Sequence, residues 1–417
     1  VRRSLECDGS GVALIVLIAE RLPKRRRSRR TPNSGSTMHI CFLCNEYPPG
    51  PHGGVGSFTQ TLGRALAARG HHVTSIGFYP QTGEAEEDDH GVRVIRLPAS
   101  RQKAAGIAAD VNRFRKKLAA LNQQKPFEVF DGPELSYALI PAAANAVKVL
   151  RMNGGHYFFM TALGARRLFW RSWLERRSFA RASHYCAVSQ FVAEQTRQLL
   201  HLGAQPIEIL PNPVNTTTFC PQPQISAEPG LIVFVGTICE KKGVRQLVQA
   251  MPAIAAAVPN ARLLVAGRDS RDAASGASFT AQLQAQIPAE LANRIEFAGH
   301  VENAALPQLL ARASVCVFPS HMEAQGIVVI EGMAMGQAVV ASQTGPGPEL
   351  IEHGYSGMLC DPHDPHSIAR QIIAVLSDPA LRERLGRHAR QRALAEFSVD
   401  ALVAKNEAYY AHCLQQR

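Results

Sequence analysis

Net positive charge is missing from most of this 417-residue chain, although its total is +11. Residues 1–37 carry nine Lys/Arg against three Asp/Glu, residues 165–182 carry six Arg against Glu175, and everything else sums to zero. A nucleic-acid partner needs a continuous basic face, so this distribution argues against one. Paired cysteines are missing too. The nine cysteines, at positions 7, 41, 44, 186, 220, 239, 316, 360 and 413, are odd in number and scattered, which suits reduced thiols in a cytoplasm. Cys41 and Cys44 form a CxxC, but they lie in the apolar run HICFLC and no second pair completes a zinc site, so they read as core residues of a strand. The apolar stretch Val12–Ala19 is eight residues, too short to span a bilayer, and the run KRRRSRR follows it where a signal peptide would place its charge first. Residues 1–37 therefore read as an upstream extension or a flexible basic tail, with the fold opening at Met38.

A hydrophobic content of 46% and a charged content of 19% describe a globular protein, and 417 residues exceed what one core usually organises. From residue 39 short apolar strands alternate with helices: HICFL, HVTSIGF, VRVIRL, FEVFD, KVLRMN, YCAVS and IEILPN. The proline-rich PQPQISAEPG interrupts them, and a second series follows with LIVFVG, RLLVAG, RIEFAG, SVCVFPS and AVVAS. The expected architecture is α/β, with two doubly wound Rossmann-like domains facing a cleft. The domains span 38–218 and 230–396, the linker 219–229, and a C-terminal helix over 397–417 packs back on the N-terminal domain. Ligands bind such folds at the carboxyl ends of the strands.

The chemistry concentrates in PSHMEAQGIVVIEGMAMGQAVVAS, residues 319–342, which holds Glu323 and Glu331 eight positions apart. A buried carboxylate is costly without a partner, and the neighbouring residues do not obviously supply one. A helix beginning near Gly326 would leave the N–H groups of Gly326, Ile327 and Val328 as donors for a diphosphate. Glu331 would lie about 7–8 Å further along that helix at about 1.5 Å per residue. One glutamate on each side of a phosphate site can accept hydroxyls from two sugars, as a nucleotide sugar would present them. A dinucleotide site is disfavoured, because GVGSFT lacks the third glycine and no acid ends the next strand. No Asp-x-Asp pair stands beside the phosphate loops, so no metal is expected.

E-x7-E followed by GMAMGQAVVAS and GPGPELIEHGYSGML resembles the retaining glycosyltransferase family 4 of GT-B fold. MHICFLCNEYPPGPHGGVGSF, LGRALAARGHHVTSIG, AVSQFVAEQ, ILPNPVNTTTF and FVGTICEKKG extend the resemblance from Met38 almost to the end of the chain. The resemblance implies a hexose-type transfer from a nucleotide diphosphate sugar to a glycan or lipid-linked hydroxyl acceptor, in cell-surface polysaccharide or glycolipid synthesis. It implies no cofactor and no conventional protein nucleophile. Glu323 matches the glutamate near the donor sugar, Glu331 the one on the ribose, Lys242 the lysine on the diphosphate, and Gly54 the glycine approaching that phosphate. His156 matches the histidine beside the reacting carbon, with Asn153 as the alternative position. Thr237 stands where many members have arginine, leaving Lys241 as a substitute charge, and Gln325 stands where an aromatic residue is usual. The alternatives are a nucleotide-sugar epimerase or phosphorylase of the same fold, or an inactive nucleotide-sugar-binding scaffold; no pyridoxal lysine motif supports a phosphorylase. In the basic segment 165–182, six arginines interleave with both tryptophans of the chain. It reads either as a surface helix meeting anionic lipid on the inner face of the membrane or as a packed helix whose arginines snorkel.

Overall fold

A computed structural model describes residues 37–50, 53–100, 104–138, 146–162, 168–271 and 276–417. The extension 1–36 and the start of the basic segment, residues 165–167, lie outside the described residues. The chain forms two compact units: residues through Pro213 together with Leu402–Arg417, and residues Val214–Ala401.

The first unit holds eight strands: β1 (His39–Leu43), β2 (His72–Tyr79), β3 (Ala85–Asp89), β4 (Val92–Pro98), β5 (Val129–Gly132), β6 (Val147–Met152), β7 (His184–Ala187) and β8 (Ile207–Ile209). Their order is β3-β4-β2-β1-β5-β6-β7-β8, and all pairs are parallel except β3 with β4. β1 is buried at every position, as a strand covered on both faces requires. Cys41 within it and Cys44 just after it are buried free thiols, and burial pushes Cys44 up to about 11, so the CxxC is core. β3 escapes hydrophobic patterning because its sequence is AEEDD. It is an edge strand whose acids face arginines: Glu86 meets Arg93, Glu87 meets Arg96 and Asp89 meets Arg64.

The second unit holds β9 (Leu231–Val235), β10 (Arg262–Ala266), β11 (Ile295–Gly299), β12 (Val315–Phe318), β13 (Val339–Ser342) and β14 (Met358–Cys360). Their order is β11-β10-β9-β12-β13-β14, all parallel. β14, Met-Leu-Cys, is only three residues long, shorter than the other five. The chain steps outward from β9 through β11, then returns to place β12 on the other side of β9. The crevice at that reversal is bounded by the loops after β9 and β12.

The last helix, Val399–Gln415, buries Val403, Tyr410 and Cys413 in the core of the first unit. Beneath it Arg151 and Asp131 form an ion pair at 2.8 Å, both almost wholly buried. Tyr410 donates to Asp131 (2.7 Å) and Arg151 donates to the Asn406 side-chain oxygen (2.7 Å). Among the described residues no helix is long and apolar enough to cross a membrane.

Candidate active site

Gly243 fixes the crevice of the second unit. Its φ is +70°, and a Cβ there would lie 1.9 Å from the Pro319 carbonyl oxygen, so the loop after β9 presses on the end of β12 as only glycine allows. The His321 N–H donates to the Lys241 carbonyl at 2.8 Å and ties the same two loops together. The result brings Lys242 to Glu323: the ammonium donates to Oε1, and Ser320 Oγ donates to the same oxygen at 2.9 Å. Burial works against both charges. The Glu323 charge and hydrogen bond nonetheless raise the Lys242 pKa, while Lys242, Ser320 and Lys241 hold Glu323 below the usual carboxylate range. The sequence reading expected no nearby partner for Glu323; the structure supplies one from 81 residues away, across the strand reversal.

Gly326 stands at the helix start that the sequence reading placed near it. It caps the helix Ile327–Ala334 at φ +90°, and the Val329 N–H turns back to the Gly326 carbonyl at 3.0 Å. Ile327 and Val328 form the first turn. Glu331 follows on the same helix, half-buried, and among the described residues no hydrogen bond or ion pair reaches its carboxylate. Burial alone pushes it up to about 7. Phe318, Ser320, Glu323, Gln325, Gly326 and Ser342 help to line a pocket at the carboxyl ends of β12 and β13; Glu323 faces it and Glu331 does not. The two glutamates therefore address different space.

Gly54 and His156 belong to the first unit. Gly54 opens the helix Gly54–Ala68, but the first turn is already engaged: the Gly56 N–H donates to Glu46 at 2.8 Å. Glu46 was not singled out from sequence, although NEYPPGPHGG sets an acid eight residues before the helix start at Gly54. His156 opens the short helix His156–Ala162, and its Nε2 accepts the Leu168 N–H at 3.0 Å, which leaves the proton of the neutral ring on Nδ1. Asn153 lines a pocket at the ends of β1, β5 and β6, with Phe42, Phe58, Asp131 and Arg151. The helix Phe169–Phe179 buries Leu174 and Phe179 and leaves Phe169 85% and Trp173 40% exposed. Its arginines turn to the protein: Arg176 donates to the Tyr157 hydroxyl and Arg177 to the Ala138 carbonyl.

Two family models match the chain: "Glycosyltransferase Family 4" over residues 52–218 and "Glycosyl transferases group 1" over residues 216–392. Among curated proteins, a glycogen synthase of Mycobacterium tuberculosis is 26% identical over 89% of this chain and 94% of its own length. A GDP-mannose-dependent alpha-(1-6)-phosphatidylinositol monomannoside mannosyltransferase of the same species is 27% identical over 88% of this chain and 96% of its own. Among solved structures, sucrose-phosphate synthase from Thermosynechococcus elongatus superposes with a TM-score of 0.78 at 22% identity, covering 91% of this chain and all of that one. HepE from Anabaena, solved with UDP and glucose, superposes at 0.71 and 18% identity over 90% of this chain and all of that one. The doubly wound architecture of each unit and the two matched domains lead to one conclusion: this chain is a glycosyltransferase of GT-B fold, with a family 4 N-terminal domain and a group 1 C-terminal domain.

Proposed function

We propose that the enzyme moves a hexose-type sugar, with retention, from a nucleotide diphosphate sugar to a hydroxyl on a glycan or lipid-linked acceptor. The observation that carries this reading is Glu331, a half-buried carboxyl without a partner among the described residues, one turn past a helix N-terminus. Such a group asks for a ligand hydroxyl, and the ribose of a nucleotide supplies two. In this reading the N–H groups of Ile327 and Val328 take phosphate oxygens, and Lys242, helped by Lys241, offsets the charge that grows on the leaving diphosphate. Glu323 and His156 act at the sugar, where positive character develops as the bond from the anomeric carbon to the diphosphate breaks. The acceptor oxygen forms the new bond, and its proton passes to the departing phosphate. Gly54 would approach a phosphate only if Glu46 released the Gly56 N–H.

A screen of UDP-, GDP- and ADP-sugars by thermal shift tests the donor half, since stabilisation grows with ligand concentration over Kd. A donor class should raise the melting temperature, and Glu331→Ala should abolish the rise. The anomeric coupling constant of the product then reports retention or inversion. Indifference to every donor would overturn the reading.

The place of action proposed is the cytoplasmic face of a membrane, supported by the exposed Leu168, Phe169 and Trp173 beside a basic helix. Binding to anionic vesicles should weaken with salt and disappear in Phe169→Ser/Trp173→Ser; binding that survives both changes would remove this element.

A further inference from the structure

Glu134 and Glu175 are deeply buried, 6% and 1% exposed, and neither has a basic partner among the described residues. Both point at one turn. Glu134 Oε1 accepts the Asn153 N–H at 2.5 Å, and Glu175 Oε2 accepts the Tyr157 N–H at 3.0 Å. The N–H groups of Gly154 and His156 also favour the charged forms of Glu134 and Glu175, respectively. Between them sits Gly155, where a Cβ would lie 2.0 Å from Glu175 Oε1 and 2.9 Å from Glu134 Cγ. The turn 153–157 is therefore clamped from both sides by carboxyls from distant segments, and it carries His156. It also carries Asn153, whose side-chain oxygen is buried, has no hydrogen-bond partner and belongs to a residue lining the pocket at β1, β5 and β6.

A solvent-exposed turn needs no such clamp, and two carboxyls with no cation among the described residues are a costly way to build one. Burial pushes Glu134 up to about 7, and burial together with the neighbouring Glu134 charge pushes Glu175 up to about 8. Groups held so far from their ordinary state cluster where a fold sacrifices stability for placement. We infer that Glu134 and Glu175 are positioning residues that hold the 153–157 turn so that His156 and Asn153 are presented to the substrates. The inference rests on the proposed role of His156 at the transferred sugar.

The test is steady-state nucleotide release, with melting temperatures, for Glu175→Gln, Glu175→Leu, Glu134→Gln, His156→Ala and the double variant Glu175→Leu/His156→Ala. Gln keeps an acceptor oxygen for the turn and Leu keeps none. Glu175→Leu should lower kcat on the order of a hundredfold with donor KM within about threefold, because a small misplacement of a reacting group is enough for that. The two Gln variants should recover at least a tenth of wild-type kcat. In the double variant Glu175→Leu should cost less than about threefold beyond His156→Ala, since the ring that the clamp places is already gone and only Asn153 is left to position. Gly155→Ala is the second route: it displaces the carboxyls without removing them, should lower kcat likewise, and serves if the Leu variant does not fold. Full additivity in the double variant, or equal kcat in Gln and Leu variants, overturns the clamp while leaving His156 in place. Unchanged kcat in His156→Ala overturns the role of His156 and the positioning inference with it.

Discussion

Replacing Glu331 with glutamine should make the free protein more stable and the enzyme worse. Burial holds this carboxyl at about 7 instead of 4.5, and no cation among the described residues compensates it. At about 1.4 kcal/mol per pH unit, its charge is disfavoured in the folded state by roughly 3 kcal/mol. A neutral amide still suffers some desolvation, so the variant should gain about 1–2 kcal/mol at pH 8. That corresponds to a rise in Tm of a few degrees, at about 2–4 °C per kcal/mol for a domain of this size. The sign of the pH dependence follows from the raised value. The folded protein holds this proton more tightly than the unfolded chain, so the contribution is fully present below about pH 4.5 and is lost as pH rises through about 7. Wild type and variant should therefore melt alike near pH 4.5 and separate by pH 8. Donor affinity should move the other way, falling on the order of ten- to a hundredfold if a carboxylate hydrogen bond of about 1.5–3 kcal/mol is lost. Calorimetric melting at several pH values, beside titration with the donor, measures both. A variant that melts earlier at pH 8 and binds donor normally would mean that Glu331 has a structural partner, and the reasoning fails.

Glu323→Gln leaves Lys242 in a crevice without its counter-charge; turnover should fall on the order of tenfold or more in single-turnover assays, and the variant should melt no higher than wild type at any pH. Gly243→Ala combines a left-handed backbone with a clash against the Pro319 carbonyl, so the loop carrying Lys242 must shift; a drop in stability of about 1–3 kcal/mol is expected, read by urea unfolding together with lost donor binding. Arg151→Met strands Asp131 in the core and should cost about 3–5 kcal/mol, with early proteolysis of the helix Val399–Gln415; a stable variant would show that the ion pair is dispensable.

The strands β1, β9, β10, β12 and β13 were legible because strands buried on both faces must be continuous apolar runs. β3 was not, since an edge strand made of AEEDD is stabilised by cross-strand arginines instead of by burial. At the site, the helix start after Gly326 could be read to within a residue, because its left-handed cap requires glycine. The partner of Glu323 could not. Lys242 and Glu323 meet only because the strand order reverses between β9 and β12, a property of topology that no local spacing records. Glu134 and Glu175 were invisible for the same reason: their common target, the turn at Gly155, is 21 residues from one and 20 from the other. Each glutamate taken singly is an ordinary residue of a loop or a helix.

The return of Leu402–Arg417 to the first unit reverses the order in which the protein can fold as it is made. A ribosome usually lets N-terminal domains complete first. Here the first unit lacks Val403, Tyr410 and Cys413 until residue 417 has emerged, and Arg151 and Asp131 wait for Tyr410 and Asn406. The second unit, continuous from Val214 to Ala401, needs nothing made later than itself. The nascent N-terminal sheet must therefore persist with an open seam over its buried ion pair while almost two hundred further residues are added. Its most exposed moment comes during synthesis, when a chaperone would find Arg151 and Asp131 without the cover of Asn406 and Tyr410.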